Sequence, residues 1–344
     1  MAMRCYSALL AGKSLHQLEM LAIKSRLVLG VRAPAAMLMR RSFSNTTTTT
    51  TTTTPSDSSS SAPTSSCDII KGPSLLRTTN QNRPRPSLVH LPGLRSLPFW
   101  SQLDANHNET RVAYQDPTLS WVVQHMEQNW PVFLHEYQQA ILHNDNPKNP
   151  VTSDYQVDTE HNDKLLHQGH GWDWHSYMLK GQAAQAPFLQ HFPESARVLQ
   201  ELRDAKLLFE NVPFGYAFFS TLHPQSQIDA HSAPMNFRVR LHLPLIVPTE
   251  EESNDNNNND DDSNQLTCGI RVGPTTRAWV PGKALLLDDS FDHQVWNNSP
   301  DQARVVLLVD VWHPDVTPQE RQEIVQLFDH AKQQGWWGSE ESTK

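Results

Sequence analysis

The sequence predicts a mainly β fold, an antiparallel barrel or jelly roll, with helices flanking it. Seven short β-rich stretches lie between residues 215 and 312, and glycine or proline residues punctuate them. The clearest is "NFRVRLHLPLIV" (236–247), whose first eight residues alternate between polar and apolar with the period of a strand. Its polar face carries Arg238, Arg240 and His242, which raises the question of whether that face is solvated or encloses a charged site.

The N-terminal residues do not belong to the predicted folded region. Residues 1–45 contain seven lysines and arginines and one acidic residue, Glu19, a composition typical of an organelle transit peptide. We expect a mitochondrial destination, with the plastid, or the cytoplasm if the segment is only a basic tail, as alternatives. Residues 46–90 include a long run of threonine and serine that buries too little apolar surface to fold, which predicts a disordered linker.

Residues 91–205 are predicted to form a helical flanking region. Two helices, 118–130 and 131–143, are expected to divide at Pro131, because proline is tolerated in a first helical turn and not in a helix interior. Two shorter helices are predicted in "WHSYMLKGQ" (174–182) and "FPESARVLQELRDAK" (192–206).

The C-terminal region, residues 317–344, is predicted to be a helix followed by a tail. Thr317 and Glu320 have the spacing of a capping box, and Pro318 suits the first helical position. Ile324, Phe328 and neighbouring apolar residues recur at helical spacing, and Gly335 is expected to end the helix.

The charge and composition of the sequence argue against a nucleic-acid-binding protein, a disulfide-rich or zinc-binding protein and a transmembrane protein. The net charge is −9, but residues 250–262 hold seven acidic residues and no basic ones, so the remaining chain is nearly neutral. We therefore expect no nucleic-acid partner, and we predict that 249–265 is a disordered acidic insertion in the jelly-roll region, residues 206–316. Three cysteines lack the spacing of a disulfide framework or a zinc site, and no apolar stretch is long enough for a transmembrane segment.

Three residues of the β region are candidates for a functional site. Arg304 enters a strand that is apolar on both faces, and a buried guanidinium requires an anion, typically a carboxylate. An internal salt bridge to Asp288 or Asp310 would satisfy it equally. His231 and His293, taken together with Arg304, suggest a divalent iron held by two neutral imidazoles, although either histidine alone would more often be a satisfied polar residue.

From about residue 205 to 316 the chain resembles the aspartyl/asparaginyl β-hydroxylases, a family of iron(II) and 2-oxoglutarate-dependent dioxygenases. The resemblance rests on "HSAPMNFRVRLHL" (231–243), "RAWVPGKALLLDDSFDHQVWN" (277–297) and "RVVLLVDVWHP" (304–314). It implies a double-stranded β-helix (jelly roll, cupin-like) core, with Fe(II) and 2-oxoglutarate as cofactors. It further implies that molecular oxygen is used to hydroxylate an aspartyl or asparaginyl side chain in a peptide or protein.

The resemblance also implies roles for individual residues. His231 and His293 match the two iron ligands at the catalytic centre, and Arg304 matches the arginine that binds the distal carboxylate of 2-oxoglutarate. Four further positions match the lining of the cosubstrate site, namely Ser220, Arg240, His242 and Trp174. Arg238 shares the polar face of its strand but has no assigned role beyond a salt bridge or exposure near the strand start.

Several alternatives stay open at this level. Many dioxygenases add a carboxylate two residues after the first histidine, where this chain has Ala233; the β-hydroxylase family likewise lacks it, so water would complete the site, unless Asp229 substitutes. His167, His170 and His175 imitate a second metal site, but a polar loop is favoured. The main functional alternatives are a dioxygenase acting on a small metabolite or lipid head group, and a non-catalytic metal-binding scaffold.

Overall fold

The computed structural model describes residues 83–143, 150–155, 167–168, 171–248 and 266–334. The predicted transit peptide, most of the linker, the acidic insertion, His170 and Gly335 lie outside these residues. The described α-helices are α1 (Pro117–Gln128), α2 (Trp130–Tyr137), α3 (Ala186–His191), α4 (Pro193–Asp204) and α5 (Pro318–Gln333); a 3-10 helix (Ala113–Gln115) precedes α1 and a π-helix (Gln138–Leu142) continues α2. The described strands are β1 (Ser101–Leu103), β2 (Thr110–Val112), β3 (His167–Gln168), β4 (Trp172–Leu179), β5 (Gln182–Ala183), β6 (Ala217–Leu222), β7 (Ser226–His231), β8 (Arg238–Ile246), β9 (Cys268–Val272), β10 (Thr275–Arg277), β11 (Leu285–Leu287), β12 (His293–Asn297) and β13 (Arg304–Trp312).

Two antiparallel sheets form the core. One has the strand order β10-β9-β12-β7-β3 and the other the order β11-β8-β13-β6-β4-β5, while β1 and β2 form a separate hairpin. Neighbours such as β7 and β12, or β8 and β13, are distant in sequence because the chain passes repeatedly between the two sheets. This is the topology of a jelly roll, and the predicted mainly β, double-stranded β-helix fold with flanking helices is confirmed.

The two faces of the six-stranded sheet pack against different parts of the protein. Along β13, odd-numbered residues such as Leu307 belong to the cluster that contains residues of α1, α2 and α4. Even-numbered residues such as Val306 and Leu308 belong to a second cluster, shared with Ile228 and Val295 of the five-stranded sheet. Because side chains alternate along a strand, the polar face of β8 also points between the sheets. The polar face of β8 is therefore enclosed and not solvated.

Most of the helices lie where the sequence predicted them. Helices α1 and α2 divide as expected, with Pro131 in the first turn of α2, and α4 matches the second of the two shorter helices. Helix α5 begins with the predicted capping box, in which Thr317 and Glu320 exchange hydrogen bonds. Among the described helices, none combines the length and apolar character needed to cross a membrane.

The helix predicted at 174–182 is wrong, because this segment is a β-hairpin. Trp174 lies inside β4, which pairs with β6, and β5 returns along β4 after a two-residue turn. Lys180 and Gly181 occupy that turn with φ values of 53° and 78°. Positive φ at both central positions is the requirement of a type I′ hairpin turn, for which glycine is favoured.

The polar loop predicted for His167, His170 and His175 is wrong for the two of these histidines that the structure describes. His167 lies in β3, which pairs with β7, and His175 lies in β4. The His175 side chain is buried, and this burial lowers its pKa. Two of the three clustered histidines are therefore part of the sheets.

The predicted linker also ends earlier than residue 90. Arg85 already donates its backbone N–H to the carbonyl of Ser290, at 2.7 Å. Leu88 and Val89 pack, half-buried, against the apolar cluster that contains Phe237 and Trp312. Residues 85–90 therefore belong to the folded region.

Candidate active site

His231 and His293 face each other because of a β-bulge. His293 of β12 is paired with His231 of β7, whereas Val295 is paired with Ile228, so three steps along β7 match two along β12. Without the extra residue, Ala230 would oppose His293 and the His231 side chain would point to the other face of the sheet. The bulge re-aims His231, and the two imidazole centroids lie 4.1 Å apart.

The hydrogen bonds of both imidazoles leave the same nitrogen free. Nδ1 of His231 lies 2.7 Å from the carbonyl oxygen of Asp229, and Nδ1 of His293 lies 3.0 Å from that of Phe291. Each carbonyl needs a donor, so the proton is on Nδ1 and the Nε2 lone pair is free to bind a metal. Burial lowers the pKa of both histidines, that of His293 well below its ordinary value, which keeps both imidazoles neutral at pH 7.

These two residues fit a divalent metal that has open coordination positions. Among the described residues, no group of three or more His, Cys, Asp or Glu side chains could hold a metal ion together. Asp229 therefore does not join the two histidines as a third ligand. Ala233 is 4% exposed, and its backbone N–H donates to the carbonyl of Asp289 at 2.7 Å.

Arg304 carries a buried charge without a carboxylate partner among the described residues. Its side chain is 2% exposed, Nη1 donates to Ser220 Oγ at 3.2 Å, and Nε has no hydrogen-bond partner. Its guanidinium lies 5.0 Å from the centroid of the Trp279 ring. Burial lowers the pKa of Arg304 to about 10, so the side chain stays charged at neutral pH. A guanidinium in these surroundings fits an acid ligand.

The alternative of an internal salt bridge for Arg304 is wrong for both proposed partners. Asp288 accepts hydrogen bonds from the hydroxyl of Ser96 and from the backbone N–H and hydroxyl of Ser290. Asp310 pairs with two other arginines, described below. Neither aspartate balances the charge of Arg304, which is therefore available to a bound ligand.

Three other predicted residues lie on the same face as Arg304. Both ring nitrogens of His242 are buried without a partner, and burial with the nearby Arg304 and Arg240 charges holds its pKa well below the ordinary value. Trp174 is paired in register with Ser220 and stacks on Phe218 at 4.4 Å, and its indole N–H has no partner. The structure therefore brings unsatisfied polar groups together between the two sheets.

The resemblance implied that Arg240 lines the cosubstrate site, and the structure shows in addition that it pairs with two aspartates. Its Nε and Nη2 donate to Asp310 at 2.7 and 3.0 Å, and its Nη1 lies 3.1 Å from Asp289. Arg238, left without a role by the sequence, pairs with the same two carboxylates at 2.5 and 2.9 Å. These four side chains form a closed ionic ring. Asp289 and Asp310 balance the charge of Arg240, but its three contacts use only some of its five N–H donors, so its role in binding the cosubstrate stays a prediction.

Sequence reasoning missed three residues of this region. Trp279 supports the Arg304 guanidinium, and Trp172 donates its indole N–H to Ser220 Oγ at 2.8 Å. Asp289 anchors the ionic ring from the loop before His293. Trp279 and Asp289 lie within "RAWVPGKALLLDDSFDHQVWN" (277–297), and Trp172 lies two residues before "WHSYMLKGQ" (174–182). Only the tertiary structure shows what each one contacts.

Asp288, in the loop before His293, gives a pH-dependent prediction. Burial raises its pKa to about 7, although Ser290 and Ser96 donate to it. Between the ordinary carboxyl pKa of about 4 and this value, the folded protein holds a proton that the unfolded chain has lost, so this contribution to stability declines as pH rises. Relative to the parent, Asp288→Asn should therefore gain on the order of a few kcal/mol between about pH 4.5 and about pH 7.5.

Urea unfolding of both proteins across this pH range provides the measurement. Asp315→Asn is the matched control, since hydrogen bonds from Arg95 outweigh burial and hold the pKa of Asp315 below its ordinary value, so that this carboxyl is ionised across the whole range in both the folded and the unfolded protein. Its stability relative to the parent should therefore not vary between about pH 4.5 and about pH 7.5. A stability difference for Asp288→Asn that does not vary with pH would contradict the assignment.

Comparisons with known proteins agree with this geometry. Residues 127–314 match the family described as aspartyl/asparaginyl beta-hydroxylase. The aspartyl/asparaginyl beta-hydroxylases of Mus musculus and Homo sapiens are each 26% identical over 69% of this chain, and the matched region is 26% of each relative. The aspartate beta-hydroxylase domain-containing protein 2 of Xenopus tropicalis is 27% identical over 72% of this chain and 56% of its own length.

Solved structures resemble the chain only weakly. A Pseudomonas putida prolyl-4-hydroxylase aligns with a TM-score of 0.27 and 12% identity, over 54% of this chain and 86% of its own, a likeness too low to support an argument. The chain spans about a quarter of the length of the full β-hydroxylases that it matches. The family match itself covers more than half of the 344 residues and includes His231, His293 and Arg304. The chain therefore belongs to the aspartyl/asparaginyl β-hydroxylase family.

Proposed function

We propose that the protein is an iron(II) and 2-oxoglutarate-dependent dioxygenase that hydroxylates an aspartyl or asparaginyl-type side chain in a peptide or protein. The observation that carries the proposal is the pairing of two features on facing sheets. One is a histidine pair with both Nε2 atoms free, and the other is a buried arginine without a carboxylate partner among the described residues. Membership of a hydroxylase family supports the same reading.

Each residue has a distinct role in this proposal. Nε2 of His231 and His293 would hold the iron, which supplies oxygen activation and the oxidative decarboxylation of 2-oxoglutarate. Arg304 would bind the far carboxylate of the cosubstrate, and the hydroxyl of Ser220 would add a hydrogen bond. His242 stays neutral and offers a donor to the same acid. The apolar lining between the sheets, including Trp174 and Phe218, excludes water from the reacting groups.

The central experiment is an anaerobic titration of the purified protein with iron(II) and 2-oxoglutarate. Chelation of the 2-oxo acid to iron is expected to produce a metal-to-ligand charge-transfer absorption band, and admission of oxygen should then yield succinate. A non-catalytic scaffold would show neither signal. Absence of the band at saturating iron and cosubstrate would rule out the proposed chemistry.

The substrate requires a separate test, because the chain spans only a quarter of the β-hydroxylases that it matches. We expect peptides that contain aspartate or asparagine to gain one oxygen atom, as measured by mass spectrometry. Matched peptides with glutamate or glutamine in their place serve as controls. Hydroxylation of free small acids or lipid head groups, with no reaction on any peptide, would favour the small-molecule alternative.

Arg304 provides the prediction for the cosubstrate. Arg304→Ala should weaken 2-oxoglutarate binding at least tenfold, because the carboxylate would enter a buried pocket without its cation. Iron binding should change little, since no metal ligand is altered. Arg277→Ala is the matched control: Arg277 is half-buried and, like Arg304, lies over an aromatic ring, that of Phe99. Equal cosubstrate affinity in Arg304→Ala and the parent would make Arg304 a structural residue.

We also propose that residues 1–45 direct the protein to mitochondria. Their basic, acid-poor composition supports this, and plastid import remains the alternative. A fluorescent protein fused after residue 45 should accumulate in mitochondria, and fusions in which the seven basic residues are replaced by glutamine should not. Diffuse cytoplasmic fluorescence of the unaltered fusion would contradict the proposal.

A further inference from the structure

Residues 85–91, called the strap from here on, run beside the loop that follows His231. Ser87 donates its backbone N–H to the carbonyl of Ala233 at 3.1 Å, and its hydroxyl donates to the same oxygen at 3.3 Å. Val89 forms a parallel bridge with Met235. At its far end, Leu91 exchanges two hydrogen bonds with the Asn236 side chain, at 2.7 and 2.9 Å.

The strap also contacts the loop that precedes His293. Arg85 donates its backbone N–H to the carbonyl of Ser290 at 2.7 Å, and its own carbonyl accepts from the hydroxyl of Ser232 at 2.9 Å. The backbone of Arg85 therefore bridges the loop that follows His231 and the loop that precedes His293. These loops share one direct bond between them, from Ala233 N–H to the carbonyl of Asp289.

The sequence explains why this segment is extended and stays in place. Proline at 84 and 86 fixes φ at those positions and disfavours helical backbone at the residue before each, so Arg85 is held extended between them. Leu88, Val89 and Leu91 then pack against the buried cluster around Phe237 and Trp312. The strap is anchored on apolar contacts independent of the histidines.

We propose that the strap is a positioning element of the metal site, which holds the His231 and His293 loops in register. The ladder between β7 and β12 ends at the two histidines themselves, so strand pairing does not order the residues beyond them. A site of this kind needs its ligands held within roughly half an ångström, which supporting hydrogen bonds provide. The inference rests on the proposed function for its metal, while the tie between the loops stands without one.

The test uses the full chain with Ser87→Ala and Ser232→Ala combined, which removes both side-chain hydroxyls that join the strap to the loop after His231 and so loosens the link through Arg85 to the loop before His293. Amide hydrogen exchange of the metal-free protein is measured by mass spectrometry on peptides covering 231–236 and 288–293. Loss of about 1 kcal/mol of hydrogen bonding corresponds to roughly fivefold faster exchange in both peptides. Cobalt(II), used as an air-stable probe, should bind several-fold more weakly. The single variant Ser232→Thr, which keeps the hydroxyl, should match the parent in both exchange and cobalt affinity.

Thr317→Ala is the matched control, because it removes the capping box of α5 and lowers global stability without touching either loop. It should leave exchange in both peptides and cobalt affinity unchanged. Ser87→Pro, which removes the backbone and hydroxyl donors to Ala233 together, should exceed the double variant in both effects. Unchanged exchange in the strap variants, or an equal change in Thr317→Ala, would overturn the proposal. Failure of the parent protein to bind cobalt or iron would instead refute the proposed function, and the exchange comparison would still decide the role of the strap.

Discussion

Replacing either His231 or His293 with alanine is expected to abolish metal binding, and with it succinate formation from 2-oxoglutarate. Only these two side chains are placed to bind the metal, because no third His, Cys, Asp or Glu joins them among the described residues. A single neutral imidazole retains too little affinity to hold a divalent ion at the site. Cobalt(II) absorption spectroscopy and isothermal titration measure the loss of binding directly, without relying on turnover.

His175→Ala is the matched control for this experiment. His175 is likewise a histidine in a core strand, but it lies in the six-stranded sheet, where its position in β4 pairs with Phe219 on the face that packs against the helices. Its removal should lower stability to a similar extent while metal binding stays intact, which also tests the alternative of a second metal site. Circular dichroism establishes that each variant is folded. Metal binding by a folded His293→Ala protein at the parent affinity would refute the two-histidine site.

The parts of the fold that could be predicted are those whose signal lies within a short stretch of sequence. β8 shows an alternation of polar and apolar residues, β13 is a nearly continuous apolar run, and α5 begins with a capping box. Arg304 is unusual because it enters that apolar run. A lone charge in a strand that is apolar on both faces has few explanations, and the structure excludes the salt-bridge explanation among the described residues.

The missed elements are those whose conformation depends on tertiary contacts. β7, which carries His231, was not predicted as a strand, because its six residues are mostly polar and include the bulge. β4 was read as a helix because its large aromatic and apolar residues suit either structure. The Lys180–Gly181 turn was the local signal that could have identified the hairpin. A bulge and a hairpin partner are both set by pairing with distant strands.

The polar face of β8 shows the same limit of sequence-based prediction at the candidate active site. Its alternation left open whether the charged face is solvated or enclosed. The structure encloses it and pairs Arg238 and Arg240 in an ionic ring, whereas Arg304 on β13 has no carboxylate partner among the described residues. The carboxylates of the ring come from Asp289 and Asp310, about 50 and 70 residues later in the chain. Sequence spacing does not indicate which arginine each carboxylate contacts. For Asp310 the contact is set by the register of β13 on β8, which places Asp310 opposite Arg240.

Asp310→Asn is therefore expected to destabilise the protein by about 3–5 kcal/mol, because it leaves two buried guanidinium groups with one carboxylate. The Asp310 side chain is fully buried, and asparagine keeps its size, so the loss reports charge and not a cavity. Urea unfolding at neutral pH measures the change. Glu194→Gln, which breaks an exposed pair with Arg197 on α4, is the control and should have no measurable effect. If Asp310→Asn unfolds like the parent, the two arginines do not need the ring, and Arg240 would then be free to bind an acid in the site after all.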